Sequence, residues 1–288
     1  MNPDNAYIRQ HLTAANRLFY EEQGYLVAEE LLPAEAITSL KKEAAAIFKG
    51  GRGQVEGLLP VAENMPDAEV LKQYVAIHFP HKLSPLIRDF LFKEAIVDIL
   101  TQIISSNLKC MQSMLFVKGP GKKGQSWHQD EFYIPTRDKS LTGVWIAIDD
   151  ATIDNGCLWL IPGSHRPGYI RPRVPTDNPE FNEKDSLDIS GFPKEAIIPV
   201  EVKSGSVIFF NGYTLHSSLS NKTSDHFRTA LVNHYMSAES MLPWDQDGKH
   251  EPTDDLRDIV LIAGTDPYAW KGITNVNKPY LRPELKAK

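Results

Sequence analysis

The sequence is poor in cysteine, in positive charge and in long apolar runs. Its two cysteines, Cys110 and Cys157, are too few for a disulfide framework and lack the clustered spacing of a structural zinc site. The formal net charge of -6 gives no broad basic field for nucleic acid or anionic lipid. No apolar stretch approaches the length of a membrane span, and the first residues are too polar for a signal peptide. We therefore expect a cytoplasmic protein that binds neither nucleic acid nor membrane.

Two kinds of periodicity divide the chain. Helical patterns run from about residue 5 to 49, with a break at 24–27, and again from Pro85. From Cys110 onward, short apolar or alternating runs are separated by Gly, Pro, Asn and Asp, which is typical of many short strands in a sandwich or closed barrel. We predict a mainly β (α+β) fold with a double-stranded β-helix of the jelly-roll, cupin-like type.

The predicted domain is single and has three parts. They are a helical scaffold at about residues 1–109, the jelly-roll core at about 110–238 and a C-terminal tail at 239–288, in which 266–273 is a packing segment. Within the core, the polar stretch 166–194 is long for a structureless loop, so we expect a lid or a binding loop there.

Two separate segments offer ligands for one metal ion. His128 and Asp130 lie two residues apart in a predicted strand, where their side chains would point to the same face. Such a pair is a weak signal alone. His216 follows a later strand and turn and could supply a second imidazole. Two imidazoles and one carboxylate form a facial triad, which leaves three octahedral positions open for a bidentate ligand and O₂.

A redox metal with open positions needs a source of electrons. The co-substrate 2-oxoglutarate would supply two electrons, and its far carboxylate would need a cation. Arg228 begins the strand after His216, and a hairpin through residues 221–225 would return it beside that histidine. Ser218 shares a strand face with His216 and could add a hydroxyl donor. Considered singly, Arg228 could instead form a surface salt bridge, and Ser218 could be a solvated turn residue.

These residues resemble the phytanoyl-CoA dioxygenase (PhyH-like) family of 2-oxoglutarate-dependent oxygenases over nearly the whole chain. The likeness rests on FYEEQGYLVAEELLPAEAITSLKKEA near the N-terminus, WHQD at 127–130, VWIAIDDATIDNGCLWLIPGSH at 144–165 and HSSLSN followed by Arg228 at 216–228. The third motif is the most specific. In particular, the sequence resembles the subgroup called phytanoyl-CoA dioxygenase domain-containing proteins.

The resemblance implies roles for individual residues. His128, Asp130 and His216 would bind Fe(II), and Arg228 and Ser218 would hold the distal carboxylate of 2-oxoglutarate. Further contacts to this co-substrate would come from Lys118, Met114 and Trp145. With O₂, the enzyme would hydroxylate a small organic substrate and release succinate and CO₂. Related halogenases carry a small residue in place of the carboxylate, so the resemblance favours hydroxylation.

Three of these positions also have a purely structural interpretation. Met114 and Lys118 share strand parity with Gln112, so all three could face one cavity. Met114 could instead fill the core, Lys118 could be a solvated strand end, and Trp145 could be a packed core aromatic. The acidic net charge and the lack of an evident basic cluster weigh against a clamp for the phosphates of coenzyme A.

Two other functions could use the same three ligands. A zinc hydrolase would need a general-base carboxylate near the metal, and a cupin-like binding or sensing protein would keep the barrel without turnover. The sequence specifies neither the primary substrate nor the oligomeric state.

The remaining histidines are assigned supporting or structural roles. His234 shares the strand parity of Arg228 and could support the metal ligands. His78 and His81 precede the barrel and could reach the mouth of the site, although a structural or solvated role fits them better. His165 is interpreted as a capping or core residue.

Overall fold

The computed structural model describes residues 2–9, 11–62, 64–240, 259–273, 275 and 277–284. Five α-helices lie in these residues: α1 Ala14–Gln23, α2 Ala34–Phe48, α3 Asp67–Leu71, α4 Pro85–Phe90 and α5 Glu94–Ile103. The same residues form fifteen strands: β1 Tyr7–Ile8, β2 Tyr25–Ala28, β3 Tyr74–His78, β4 Leu108–Lys118, β5 Gln125–His128, β6 Thr142–Ala147, β7 Leu158–Leu160, β8 Arg173–Pro175, β9 Asp185–Leu187, β10 Ile198–Val200, β11 Val207–Asn211, β12 His216–Ser218, β13 Arg228–Ser237, β14 Val260–Ala263 and β15 Tyr280–Pro283.

Local signals account for the helix boundaries near the N-terminus. Thr13 caps α1 and exchanges hydrogen bonds with Asn16 in a capping box. The helix ends at Gly24, whose φ of 80° lies in the left-handed region that favours glycine. The chain then enters the fully buried strand β2, which lies where the sequence predicted a break between two helices. The predicted helical stretch from Pro85 is divided into α4 and α5.

Two sheets form the core of the molecule. The large sheet has the strand order β1-β2-β11-β6-β13-β4-β3-β15, and β14 also pairs with β4. The small sheet has the order β10-β7-β12-β5. This arrangement confirms the predicted mainly β fold with a jelly-roll core.

Both ends of the chain contribute strands to the large sheet. β2 and β3 lie in the predicted helical scaffold, and β14 and β15 lie in the predicted tail. These four strands were not predicted from the sequence, because each has only four or five residues and pairs with a distant partner. Since one sheet joins residues from both ends, we propose that the described residues belong to a single domain.

The large sheet has an outer apolar face and an inner face that lines a cavity. Leu115, Leu231 and Ile146 are neighbours across β4, β13 and β6, and they join the apolar cluster that includes Leu40 and Leu100 of the helices. The helices therefore cover the outer face. The next row of neighbours, Met114, Val232 and Trp145, lines the inner cavity, as strand alternation requires.

The predicted loop 166–194 is an ordered flap. It contains the hairpin of β8 and β9, and its Phe181 and Leu187 pack in a small cluster with Trp127 and Leu215 of the core. The flap brings Glu183 to the cavity. Separately, none of the helices in the described part of the chain has both the length and the apolar character to cross a bilayer.

Candidate active site

The three predicted metal ligands meet beside the small sheet. His128 ends β5, His216 begins β12, and the two residues are paired across these strands. Asp130 lies in a 3-10 turn at Asp130–Phe132, so the prediction that it belongs to the same strand as His128 is wrong. The turn forms because the backbone N–H groups of Phe132 and Tyr133 bond back to the carbonyls of Gln129 and Asp130. One ligand atom from each of the three side chains lies within 4.8 Å of the others.

Backbone carbonyls orient both imidazoles. Nδ1 of His128 lies 2.7 Å from the Ser126 carbonyl, and Nδ1 of His216 lies 2.9 Å from the Thr214 carbonyl. In the neutral rings these nitrogens donate, which leaves the Nε2 lone pairs free for a ligand. The two Nε2 atoms are 3.9 and 3.6 Å from Oδ1 of Asp130.

His234 and the local charges favour the ionised form of Asp130. Nε2 of His234 lies 3.0 Å from Oδ2 of Asp130, so Oδ1 remains for a metal. Burial raises the pKa of this carboxyl, but the imidazoles of His216 and His234 outweigh it and lower the pKa below its ordinary value. Burial, aided by His216, lowers the pKa of His128 to about 3. A deprotonated carboxylate and a neutral imidazole are the forms that bind metal.

The donor set fits a mononuclear iron site. It offers two nitrogens and one oxygen, and no fourth His, Cys, Asp or Glu among the described residues joins the group. A structural zinc site would be closed by four protein ligands, and a magnesium or calcium site would use oxygen ligands. Two histidines and one carboxylate with open positions match the facial triad of non-haem Fe(II) oxygenases.

A cavity of about 530 Å³ opens beside these ligands. Its walls include apolar side chains from the turn and the large sheet, among them Ile134, Phe210 and Val232. The Phe210 ring packs 4.7 Å from the His216 ring, measured between centroids. Four of the five predicted co-substrate residues line the same cavity: Met114, Trp145, Ser218 and Arg228. Lys118 does not line it.

Arg228 is a buried cation with no acidic partner among the residues that the structure describes. Its side chain is 5% exposed, which excludes the surface salt bridge considered from the sequence. Nε donates to the Gly156 carbonyl at 3.1 Å, and the guanidinium carbon lies 5.7 Å from the centre of a Trp145 ring. In the described part of the chain no carboxylate forms an ion pair with it. Burial lowers its pKa to about 10, so it stays charged at neutral pH.

Lys118 lies behind Ser218. Its ammonium donates to the Ser218 hydroxyl at 2.8 Å and to the Leu219 carbonyl at 2.6 Å, and Gly156 offers a third carbonyl at 3.4 Å. Burial, with the nearby charge of Arg228, lowers the pKa of Lys118 well below its ordinary value. Lys118 thus contacts Ser218, and its direct contact with the co-substrate stays a prediction. Ser218 is also buried, so it is not a solvated turn residue.

Gly156 is required at this point of the fold. Its φ is +85°, and an added Cβ would lie 2.5 Å from the Leu219 carbonyl oxygen and 2.8 Å from Nζ of Lys118. The glycine turn therefore lets one carbonyl reach both Arg228 and Lys118.

Several cavity residues were not predicted from the sequence. Glu183 comes from the flap, and Tyr280 and Arg282 come from β15. His78, which was weighed as a residue near the mouth, also lines the cavity. His81 bonds to Ser113 and His165 to the Glu21 carbonyl, in the structural roles expected for them. No sequence pattern pointed to Arg282, because its short strand pairs with β3, about two hundred residues earlier in the chain.

Comparison with known proteins supports the resemblance. Phytanoyl-CoA dioxygenase 1 of Oryza sativa subsp. japonica is 30% identical over 263 residues, which cover 79% of this chain and 90% of that protein. The α-ketoglutarate-dependent carbocyclase SnoK from nogalamycin biosynthesis shares the fold with a TM-score of 0.65 at 23% identity, over 88% of this chain and 97% of that one. The epimerase SnoN, solved with Fe³⁺, α-ketoglutarate and nogalamycin RO, has a TM-score of 0.59 at 19% identity, over 87% and 95% of the two chains.

The family assignment rests on the sequence profile of phytanoyl-CoA dioxygenase (PhyH), which matches residues 20–230. This range contains the three candidate ligands and Arg228, and it covers more than half of the chain. The chain therefore belongs to the phytanoyl-CoA dioxygenase family and is a 2-oxoglutarate-dependent dioxygenase.

Proposed function

We propose that this enzyme uses Fe(II), 2-oxoglutarate and O₂ to hydroxylate a small organic substrate. The observation that carries the proposal is the presence, on one cavity, of an open three-ligand site and a buried arginine that has no acidic partner in the described part of the chain. A metal site alone fits several functions. A buried cation beside it is explained by a co-substrate that brings its own carboxylate.

His128 and His216 would bind the metal through Nε2, and Asp130 would bind it through Oδ1. When bound, the metal and 2-oxoglutarate supply the oxidising chemistry: C–H, O₂ and 2-oxoglutarate are converted to C–OH, succinate and CO₂. The chain holds Asp130 as an anion through His234, and the carbonyls of Ser126 and Thr214 hold the two imidazoles in their binding tautomers. No side chain needs to act as a general base.

Arg228 and Ser218 would bind the distal carboxylate of 2-oxoglutarate. Because Nε of Arg228 is used by the Gly156 carbonyl, its two terminal nitrogens remain for a carboxylate. Lys118 donates to the oxygen of Ser218, so the hydroxyl hydrogen is free to donate to the same carboxylate. Trp145 packs beside the guanidinium, and Met114 completes this wall of the cavity.

The apolar walls would keep water from the reacting centre. Phe210 packs against His216, and Ile134 and Val232 line the adjoining surface. The neighbours with this fold include a carbocyclase and an epimerase, so the fold alone does not select hydroxylation. The Asp130 carboxylate supports hydroxylation, because halogenation would require its position at the metal to be free for chloride.

The test is metal analysis after anaerobic purification, followed by a succinate assay. We expect one Fe(II) per chain and succinate formation that requires 2-oxoglutarate. His216→Ala should lose both. His165→Ala is the matched control, because this histidine bonds to the Glu21 carbonyl outside the cavity.

The same assay separates the alternatives. Zinc at full occupancy without consumption of 2-oxoglutarate would support a hydrolase. Iron at full occupancy without succinate from any substrate would support a binding or sensing protein.

A further inference from the structure

The cavity has a second cation, at its outer end. We propose that Arg282 binds an oxyanion, either a carboxylate or a phosphate, that is part of the primary substrate. The inference rests on the proposed function, since it names the substrate class of the same cavity.

Strand pairing brings Arg282 to the cavity. β15 runs antiparallel to β3, with Tyr280 opposite His78 and Arg282 opposite Ala76, and Ala76 lies opposite Phe116 of β4. Strand alternation therefore places Arg282 on the same face as Tyr280, His78 and Phe116, and all four line the cavity.

The strand that carries Arg282 is held firmly. The rings of His78 and Tyr280 stack with centroids 4.3 Å apart and planes 10° apart. The backbone N–H of Leu281 donates to the Glu56 carbonyl at 2.8 Å, and the Leu281 side chain is buried. The backbone of Arg282 thus lies in a fixed wall, so the ordering required when a ligand binds is confined to its side chain.

The charges around Arg282 favour an anion. Within the described residues Arg282 forms no ion pair. The nearby Glu284 carboxylate forms an ion pair with Lys122 at 2.7 Å, and Glu183 accepts a hydrogen bond from the Ser126 N–H at 2.9 Å. A smaller recess shares Glu183 and both arginines with the cavity. Apart from the buried Lys118, its charged lining consists of Lys122, Lys123, Arg228 and Arg282 against Glu183 and Glu284. This local excess of positive charge stands in a chain of net charge -6. The basic cluster that the sequence did not reveal is assembled here from separate segments.

The two cavity arginines are suited to different ligands. Arg228 is buried and can serve a ligand that is sealed inside the barrel, whereas Arg282 is exposed and can serve a group near the entrance. Two strands, β4 and β3, lie between β13 and β15. At about 4.8 Å per strand, the backbones that carry the two arginines are roughly 14 Å apart. A substrate anion at Arg282 would therefore leave the position beside Arg228 to 2-oxoglutarate.

The test compares charged and neutral probes that have the same number of carbon atoms. Octanoate, octyl phosphate and octanamide are titrated calorimetrically into the anaerobic protein loaded with Fe(II) and 2-oxoglutarate. We expect at least one of the two anions to bind about tenfold more tightly than octanamide, which corresponds to about 1.4 kcal/mol. The better anion identifies the carboxylate or the phosphate as the preferred group. Arg282→Gln should remove this preference, and Arg282→Lys should keep part of it.

Arg173→Gln is the matched control, because it removes an equal charge from an arginine at the flap that is already paired with Asp185 at 2.6 Å. This variant should keep the full preference. Equal or undetectable binding of anion and amide to the wild-type protein would overturn the inference, as would an unchanged preference in Arg282→Gln. The affinity for 2-oxoglutarate is measured on the same samples. If the wild-type protein does not bind 2-oxoglutarate, the result counts against the proposed function. If it binds 2-oxoglutarate but shows no preference for the anionic probes, the result counts against the inference alone.

Discussion

Replacing Arg228 with methionine should separate co-substrate binding from stability. The methionine keeps much of the length of the side chain but removes the buried charge. In the protein without ligands, this charge has one hydrogen bond, to the Gly156 carbonyl, and no carboxylate partner among the described residues. If Arg228 exists to hold a co-substrate, its removal should damage binding and spare the fold.

The two effects have opposite signs. Removing one partner of a buried, hydrogen-bonded charge pair costs about 2–5 kcal/mol of binding free energy. The Kd for 2-oxoglutarate should therefore rise by a factor of roughly 30 to several thousand. Replacing a buried charge by an apolar side chain of similar volume is neutral or stabilising by about 1–4 kcal/mol. The free energy of unfolding of the protein without ligands should accordingly stay constant or increase.

The assay is calorimetric titration of 2-oxoglutarate into anaerobic Fe(II) protein, together with urea unfolding of the metal-free protein. Arg173→Met is the control, because Arg173 already has an ion pair with Asp185 and lies in the flap. It should leave the Kd unchanged. A Kd for Arg228→Met within threefold of the wild-type value would refute the reasoning, and so would a loss of several kcal/mol in stability, since the charge would then be structural.

Three further predictions follow from buried polar contacts. His234→Phe removes the bond to Asp130, so Fe(II) affinity measured by chelator competition should fall about 10- to 100-fold, and an unchanged affinity would contradict the supporting role. Lys118→Met removes the hydrogen-bond donor to Ser218, so the Kd for 2-oxoglutarate should rise by about tenfold while the Fe(II) affinity stays the same. A loss of Fe(II) affinity would contradict the role of Lys118 in supporting Ser218. Burial lowers the pKa of the His81 imidazole from 6.5 to about 4 in the folded protein. As the pH falls from 6.5 to 4, this imidazole is protonated in the unfolded chain but not in the folded one, so the protein loses stability. Between about pH 7.5 and 5 the wild-type protein should lose about 2 kcal/mol of unfolding free energy more than His81→Asn, and equal losses in urea unfolding would contradict this.

The predictable parts of the fold are those with a local or periodic cause. Gly24 marks the end of α1 in the sequence itself, whereas the predicted helical start near residue 5 is wrong, because α1 begins only at Ala14, after the capping box at Thr13. The alternation in β4 predicts that Met114 faces inward, and the structure has it on the cavity wall.

Features that depend on distant contacts were not predictable. Asp130 leaves the strand because of turn hydrogen bonds, and the neighbouring Glu131 N–H bonds to the carbonyl of Gly212, which is remote in the sequence. The ammonium of Lys118 is directed by three oxygens near Gly156 and Ser218, so strand parity alone could not tell a cavity contact from a supporting one. Arg282 reaches the cavity only through the pairing of β15 with β3.

The most direct test of the site is anomalous scattering at the iron edge from crystals grown anaerobically with Fe(II) and 2-oxoglutarate. We predict one iron per chain, bound by Nε2 of His128, Nε2 of His216 and Oδ1 of Asp130, with the distal carboxylate of 2-oxoglutarate at Arg228. Iron bound elsewhere, or 2-oxoglutarate with its distal carboxylate away from Arg228, would contradict the account.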